Sequence, residues 1–273
     1  MFSQLNKPLI MGILNVTPDS FSDGGKYTGI DDALKQVERM LAEGIDIIDV
    51  GGESTRPGSD TVAAKEQQQR VLPVITAIRQ QLKSDILISI DTTSSAVAKA
   101  ALAAGADIIN DISAGQDDEA ILALAAQSDV PIILMHSQGA PKTMQDNPYY
   151  DDVIREVIDA LKTRIDAALM AGIKKENIVI DPGIGFGKRK QDNLDLLAHL
   201  DALVALGFPI LLGTSRKRFM GTLCDVTEPS ELVTATAVTT ALGVMAGVQI
   251  FRVHDIKENR QAADVAWAIR QSR

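Results

Sequence analysis

Eight places along the 273-residue chain put a polar or ionisable residue at the end of a short apolar run. In order they are Asn15, Asp49, Asp91, Asn110 with Asp111, His136, Asp181, Ser215 with Lys217, and Arg252 with His254. The acids and the amide among them, Asp91, Asn110 and Asp181, suit a flat heterocycle that presents several N–H groups. Lys217, Arg252 and His254 suit an anion such as a phosphate ester. Residues 252 and 254 are two apart, so on a strand both point to one face, as a shared anion requires. Capping of the following helices competes as an explanation for any single Asp or Asn. It does not account for Lys217, Arg252 and His254, which are poor caps. For Arg252 the competing reading is a salt bridge with Asp49 or Asp255. His136 stays open between a satisfied core histidine and a working one, and His199, among leucines on an expected helix, reads as surface or packing.

Several motifs of known chemistry fail. The run Gly183-Ile-Gly185-Phe-Gly187-Lys188 resembles a phosphate loop, but Pro182 holds the first glycine position and Arg189 replaces the Ser or Thr. Asp19 to Gly24 hints at a calcium loop, yet Phe21 sits at a ligand position and Ile30 stands where the bidentate Glu belongs. The single cysteine, Cys224, offers neither an intrachain disulfide nor a zinc cluster, and no H-E-x-x-H run exists. The Ser, His and Asp types are present without a G-x-S-x-G elbow to organise them.

The elements that must position these residues alternate from end to end. Strands are expected over Pro8–Thr17, Ile45–Gly51, Asp85–Asp91, Asp107–Ile112, Pro131–His136, Asn177–Asp181, Pro209–Thr214 and Gln249–Val253. Their cores alternate little between apolar and polar, as in parallel strands buried on both faces. Between them lie amphipathic stretches such as Asp31–Glu43, with Leu34, Val37 and Leu41 on one face and Gly44 as a stop. In Asp151–Ala171 the stripe is Ile154, Val157, Ile158, Leu161, Ile165 and Leu169, followed by Gly172 as a C-terminal cap. Eight strand–helix units in one α/β chain of this length are the arithmetic of a (β/α)8 (TIM) barrel. An open doubly wound sheet shares the alternation, but the count and the lack of a G-x-G-x-x-G turn after strand 1 favour the barrel. No linker or low-complexity tract divides residues 1–273, which therefore read as one domain with its active site at the C-terminal ends of the strands. The long polar segments Pro18–Gly29 and Glu53–Asp60 are expected to be lids or binding loops.

Composition narrows the partners. A formal charge of −9 disfavours broad binding to nucleic acid or anionic membranes. No apolar run approaches the roughly 18–20 residues that span a bilayer, and Met1–Ile10 lacks a signal peptide's apolar core. A cytoplasmic enzyme of small-molecule substrates is expected.

At these residues the sequence resembles a known family. Asn15-Val-Thr-Pro-Asp-Ser-Phe-Ser-Asp-Gly-Gly25 resembles the first signature of dihydropteroate synthases, and Asp49-Val-Gly-Gly-Glu-Ser-Thr-Arg-Pro-Gly58 the second. The resemblance continues through Ile90-Asp91-Thr92, Asn110-Asp111, Met135-His136, Asp181 to Lys188, Gly213-Thr-Ser-Arg-Lys217 and Arg252-Val-His254. It covers essentially the whole chain, and the two loop signatures are highly specific. Ser137, where the family often has Met, and the run Arg189–Asp192 depart from the pattern near the pocket.

The resemblance implies a transferase of folate biosynthesis. It would join (7,8-dihydropterin-6-yl)methyl diphosphate to 4-aminobenzoate and release diphosphate and 7,8-dihydropteroate. It implies a pterin diphosphate site of Thr55, Asp91, Asn110, Asp181, Lys217, Arg252, Val253 and His254. It implies a 4-aminobenzoate site of Phe21, Thr55, Pro57, Phe186 and Ser215, with Asn15 as a ligand of Mg²⁺. Asp23, Arg56 and Lys217 are the expected catalytic residues, Asp23 and Arg56 pairing as the two loops close to exclude water. A dissociative substitution is expected, in which cations draw off the leaving group and carboxylates stabilise the carbon left behind.

The small-residue segment Glu231–Met245 suits a homodimer contact or a buried barrel helix equally, and the resemblance favours the homodimer. A 4-aminobenzoate pocket also implies a sulfonamide target. Three other functions compete: a methyl-transfer domain that binds a pterin, a Schiff-base aldolase using Lys217, and a non-catalytic pterin-binding protein. The first has no use for Ser54-Thr-Arg-Pro57, and the third is at odds with the presence of Asn15, Arg56 and Lys217 together.

Overall fold

In the computed structural model, which describes residues 7–17, 26–54, 59, 61–82, 85–139 and 142–273 (without the side chains of 26–28), strands and helices alternate. The strands are β1 (Leu9–Asn15), β2 (Ile47–Gly51), β3 (Leu87–Asp91), β4 (Ile108–Asp111), β5 (Ile132–Met135), β6 (Ile178–Asp181), β7 (Leu211–Leu212) and β8 (Ile250–Val253). The first five are followed by α1 (Lys26–Ala42), α2 (Ala64–Gln81), α3 (Ser95–Ala104), α4 (Ala120–Ser128) and α5 (Val153–Met170). After β6 come α6 (Lys190–Ala198) and α7 (Leu200–Val204), after β7 come α8 (Arg218–Cys224) and α9 (Val233–Ala246), and α10 (Ile256–Gln271) closes the chain.

All strand pairs are parallel, in the order β6-β5-β4-β3-β2-β1-β8-β7. A single bridge, Ile180 to Ile210, brings the two ends together, and Ile180 N–H donates to Pro209 O at 2.9 Å. The result is the expected (β/α)8 barrel.

Strand alternation sorts the side chains into two layers. Met11, Ile47, Ile108, Ile133, Val179, Leu211 and Ile250 form one buried cluster along the barrel axis. Their neighbours, such as Ile10, Ile48, Ile88, Ile109, Ile132, Ile178 and Phe251, form the layer beneath the helices. Two steps along each strand from the axial cluster lie Asp49, Asn110, Asp181 and Arg252, so the same parity that builds the core carries polar groups to the mouth.

Helix α1 begins at Lys26 rather than Asp31, which shortens the expected loop Pro18–Gly29. Ile30 packs on the core and continues the Leu34–Val37–Leu41 stripe backwards past Gly29. Helix α5 is capped by Asp152, whose carboxylate accepts from Arg155 N–H at 3.1 Å. It ends before Gly172, as Gly44 ends α1, with φ of 93° and 92°, where a side chain would be strained. Ala168 rather than Leu169 completes the buried face of α5. Among the described residues no helix is long and apolar enough to cross a membrane.

Candidate active site

The β2–β4 side of the mouth is built on two carboxylates and an arginine. Asp49 is fully buried, mid-strand rather than at the rim. Its Oδ2 accepts from Arg252 Nε at 2.6 Å and from Asn110 Nδ2 at 3.1 Å. Arg252 Nη2 donates to Asp91 Oδ2 at 2.6 Å. One oxygen on each acid, Asp49 Oδ1 and Asp91 Oδ1, is buried without a hydrogen-bond partner in the protein, which leaves two acceptors open to a bound donor.

Burial pushes the Asp91 carboxyl upward, opposed by Arg252 and reinforced by the negative charge of Asp49. Burial works against the Arg252 cation too, but Asp49 and Asp91 outweigh it and hold its pKa above the ordinary value. The salt bridge that competed with an anion-binding role for Arg252 is therefore present, to Asp49 and also to Asp91. Asp255 instead pairs with Arg216, at 2.6 and 3.0 Å.

The β6–β7 side carries the lysines. Asp181 Oδ1 accepts from Gly183 N–H at 2.7 Å. Burial raises its carboxyl pKa to about 6, against the pull of that N–H, Lys217, Lys188 and Arg252. The following segment folds back over the end of β5. A β-carbon on Gly183 would stand 1.9 Å from His136 O, and one on Gly187 2.1 Å from Gln138 O. Both have positive φ, so only glycine permits this approach. Phe186 is thereby placed with its ring 4.2 Å below Lys217 Nζ, a cation–π contact. Ser215 is buried, its hydroxyl 2.9 Å from His254 Nδ1 and accepting from His254 N–H at 3.0 Å.

Of the expected site residues, Asp91, Asn110, Asp181, Phe186, Ser215, Lys217, Arg252 and His254 lie at the C-terminal ends of β3, β4, β6, β7 and β8 or in the segments that follow. Asn15 ends β1, half-buried. Val253 packs in the outer layer with the helices, because strand alternation turns it away from Arg252 and His254. Asp111 turns outward likewise and accepts from Ser113 N–H, Ser113 Oγ and Gly115 N–H. Phe21, Asp23, Thr55, Arg56 and Pro57 lie outside the described residues.

Several contributors were not assigned from the sequence. Glu53 accepts from Val62 N–H at 3.0 Å and Gln67 Nε2 at 2.7 Å, and Gln67 Oε1 accepts from Thr92 Oγ1 at 3.1 Å. This clasp ties the base of the second long loop to β3. The run Arg189–Asp192 starts α6, where Asp192 accepts from Arg189 N–H at 2.7 Å, and Arg189 stacks on Tyr149 at 5.1 Å. His199 is exposed, as expected.

Comparison with known proteins narrows the chemistry. A family model described as pterin binding enzyme matches residues 11–254. A dihydropteroate synthase of Streptococcus pyogenes is 52% identical over 257 residues, 94% of this chain and 93% of that one. Among solved structures, the Clostridium difficile dihydropteroate synthase crystallised with pteroic acid superposes with a TM-score of 0.92 at 44% identity, covering 98% of this chain and 99% of that one. The Xanthomonas albilineans dihydropteroate synthase with 4-aminobenzoic acid gives 0.89 at 44% identity, covering 97% and 93%. Sequence, fold and the polar mouth of the barrel agree: the chain belongs to the pterin binding enzyme family, with the dihydropteroate synthases, and is a transferase.

Proposed function

We propose that the chain condenses (7,8-dihydropterin-6-yl)methyl diphosphate with 4-aminobenzoate to give 7,8-dihydropteroate and diphosphate. The observation that carries this reading is the mouth's buried wall of Asp49, Asp91, Asn110 and Asp181, with two carboxylate oxygens unpartnered. A pterin edge supplies the N–H groups such a wall lacks, and a heterocycle without them leaves the wall unpaired and is rejected. Asp49 and Asp91 occupy Nε and Nη2 of Arg252, so Nη1 is the nitrogen it can turn toward a diphosphate. His254, oriented through Nδ1 by Ser215, would share that anion, and the main chain at Val253 lies between them. Thr55 would contact both substrates.

In the dissociative path the methylene C–O bond breaks with its electron pair leaving on diphosphate, and the positive charge spreads into the dihydropterin ring. The acid wall faces that charge while Arg252, His254 and Lys217 hold the leaving anion. The amine of 4-aminobenzoate, placed by Phe21, Thr55, Pro57, Phe186 and Ser215, then attacks the methylene carbon and gives up a proton that the departing diphosphate can accept. Asp23 and Arg56 would close the loops over it and exclude water.

Asn15 fits a Mg²⁺ site in a limited sense. A β-carbon on Gly51 would stand 3.6 Å from both Asn15 Oδ1 and Asp91 Cβ, so this glycine leaves space beside the amide oxygen. Among the described residues no cluster of three acidic, His or Cys groups competes for a metal. One amide oxygen suits an ion that keeps its waters and takes substrate phosphates as ligands. When bound, Mg²⁺ would neutralise diphosphate charge.

The test is diphosphate release with Mg²⁺, with and without 4-aminobenzoate, alongside an assay for dihydropteroate. Amine-dependent product supports the reading; tight pterin binding without product refutes it.

The homodimer belongs to the same reading. Between α9 and α10 lies an apolar groove of about 610 Å³ lined by Val233, Ala237, Ala241, Met245, Val265 and Ile269. Val265 in its wall and Leu242 beside it are each 61% exposed. A second copy laying the same face into the groove would cover them. Sedimentation should give a dimer that Leu242→Glu dissociates, and a monomeric wild type overturns this part.

A further inference from the structure

The lysine of the failed phosphate loop points inward, onto the protein's own groups. Lys188 is 3% exposed. Its Nζ lies 2.9 Å from Gly183 O, 3.0 Å from Phe186 O and 2.9 Å from His136 Nδ1. An ammonium has three N–H donors and no acceptor, so the three partners use it completely. A neutral amine would satisfy all three only with the His136 proton on Nδ1, facing its lone pair.

The contact also fixes the imidazole. Against the ammonium Nδ1 accepts, which puts the His136 proton on Nε2. Burial, and next the Lys188 charge, push the His136 pKa down to about 3, so the ring is neutral across the working range. Burial and Lys217 lower the lysine's own pKa to about 7, against Asp181 and Asp192, the acids that face it.

We propose that Lys188 is a positioning residue for the amine-binding half of the reaction: its ammonium pins segment 183–187 against the end of β5, and so sets the Phe186 ring beneath Lys217 and the tautomer of His136. Gly183 ties the same device to the pterin wall, since its N–H holds Asp181 while its carbonyl holds Lys188. The 4-aminobenzoate side depends on it more directly, because Phe186 is anchored by the backbone carbonyl that Lys188 binds. The inference rests on the substrate assignment above for its kinetic arm only.

The experiment compares wild type with Lys188→Met and Lys188→Arg in the full-length protein. Lys188→Met should raise the KM for 4-aminobenzoate about tenfold or more, with pterin diphosphate affinity in the absence of amine within about threefold. Lys188→Arg, which keeps the cation, should recover part of the loss. An unchanged KM, or an equal loss for both substrates, overturns the proposal.

The second arm needs no activity. Nitrogen-15 NMR of wild-type His136, assigned with His136→Gln, should show the Nε2–H tautomer at pH 6, below the Lys188 pKa of about 7. Lys188→Met should release that preference. A wild-type ring protonated on Nδ1 overturns the proposal even if neither variant folds. If wild type forms no dihydropteroate, the substrate reading fails, and the tautomer alone decides the role of Lys188.

Discussion

Replacing Asp49 with Ala should be among the most damaging single changes in the barrel. Asp49 Oδ2 serves Arg252 Nε at 2.6 Å and Asn110 Nδ2 at 3.1 Å from a fully buried position. Removing one partner of a buried ion pair costs about 3–5 kcal/mol. Two features reduce that figure: Arg252 keeps Asp91, and the orphaned Asp49 Oδ1 disappears along with its own desolvation cost. A net loss of about 2–4 kcal/mol is expected, read as a lower urea midpoint by circular dichroism. Adding Arg252→Met to Asp49→Ala should cost less than the two single changes summed, with a coupling of about 1–3 kcal/mol. Asp49 also accepts without donating, so it fixes which end of the Asn110 amide faces it. Once it is gone the amide can flip, and pterin diphosphate binding measured calorimetrically should weaken about tenfold. A stability change below about 0.5 kcal/mol, or an additive cycle, refutes the pairing. Unaltered pterin affinity in a destabilised protein refutes the orienting role.

The folded-state pKa of Asp181, about 6, lies above its unsupported value of 3.8, so folding favours the protonated form. Its contribution is complete below about pH 4 and is lost as pH rises through 6, a swing of about 3 kcal/mol. Asp181→Asn should remove that swing from the pH dependence of stability and weaken pterin binding; parallel wild-type and variant profiles would contradict it. Gly187→Ala would press a β-carbon to within 2.1 Å of Gln138 O. It should lower stability by about 1–3 kcal/mol and raise the KM for 4-aminobenzoate, and an unchanged KM would detach that segment from the amine site. Arg56→Ala should depress kcat with little effect on pterin binding alone, and the reverse pattern would remove the loop-closing role. A sulfonamide should compete with 4-aminobenzoate and not with the pterin diphosphate, which inhibition patterns decide.

Much of the barrel is legible in sequence because a parallel strand buried on both faces leaves a dense apolar run, as in Ile47-Ile-Asp-Val50 or Ile178-Val-Ile180. Even so, Pro209–Thr214 contracts to the two residues of β7, where the strand pairs fully only with β8. The alternation rule would also have separated Asn110 from Asp111 and Val253 from its neighbours, since adjacent strand residues face opposite ways. What local pattern does not carry is partnership across the barrel. Arg252 and Asp49 are 203 residues apart, and either could have found another partner until the strand order was known. The role of Lys188 was not legible for a different reason: two of its three partners are main-chain carbonyls, which leave no compositional trace, and the third, His136, is 52 residues away.

The seam between β6 and β7 gives the mouth a direction of give. Elsewhere around the ring neighbouring strands pair over two to five residues, whereas this junction closes on the single Ile180–Ile210 bridge. Asp181 stands at the top of one side of the seam, and Lys217 follows the other. A parting of these strands breaks the fewest ladder contacts, so it is the opening expected to cost least, and it would widen the gap between Asp181 and Lys217. Amide hydrogen exchange should be fastest, among the strands, at Ile180 and its neighbours across this junction. Substrates that bridge the gap would slow it, so that ligand itself acts as the last rung of the ladder.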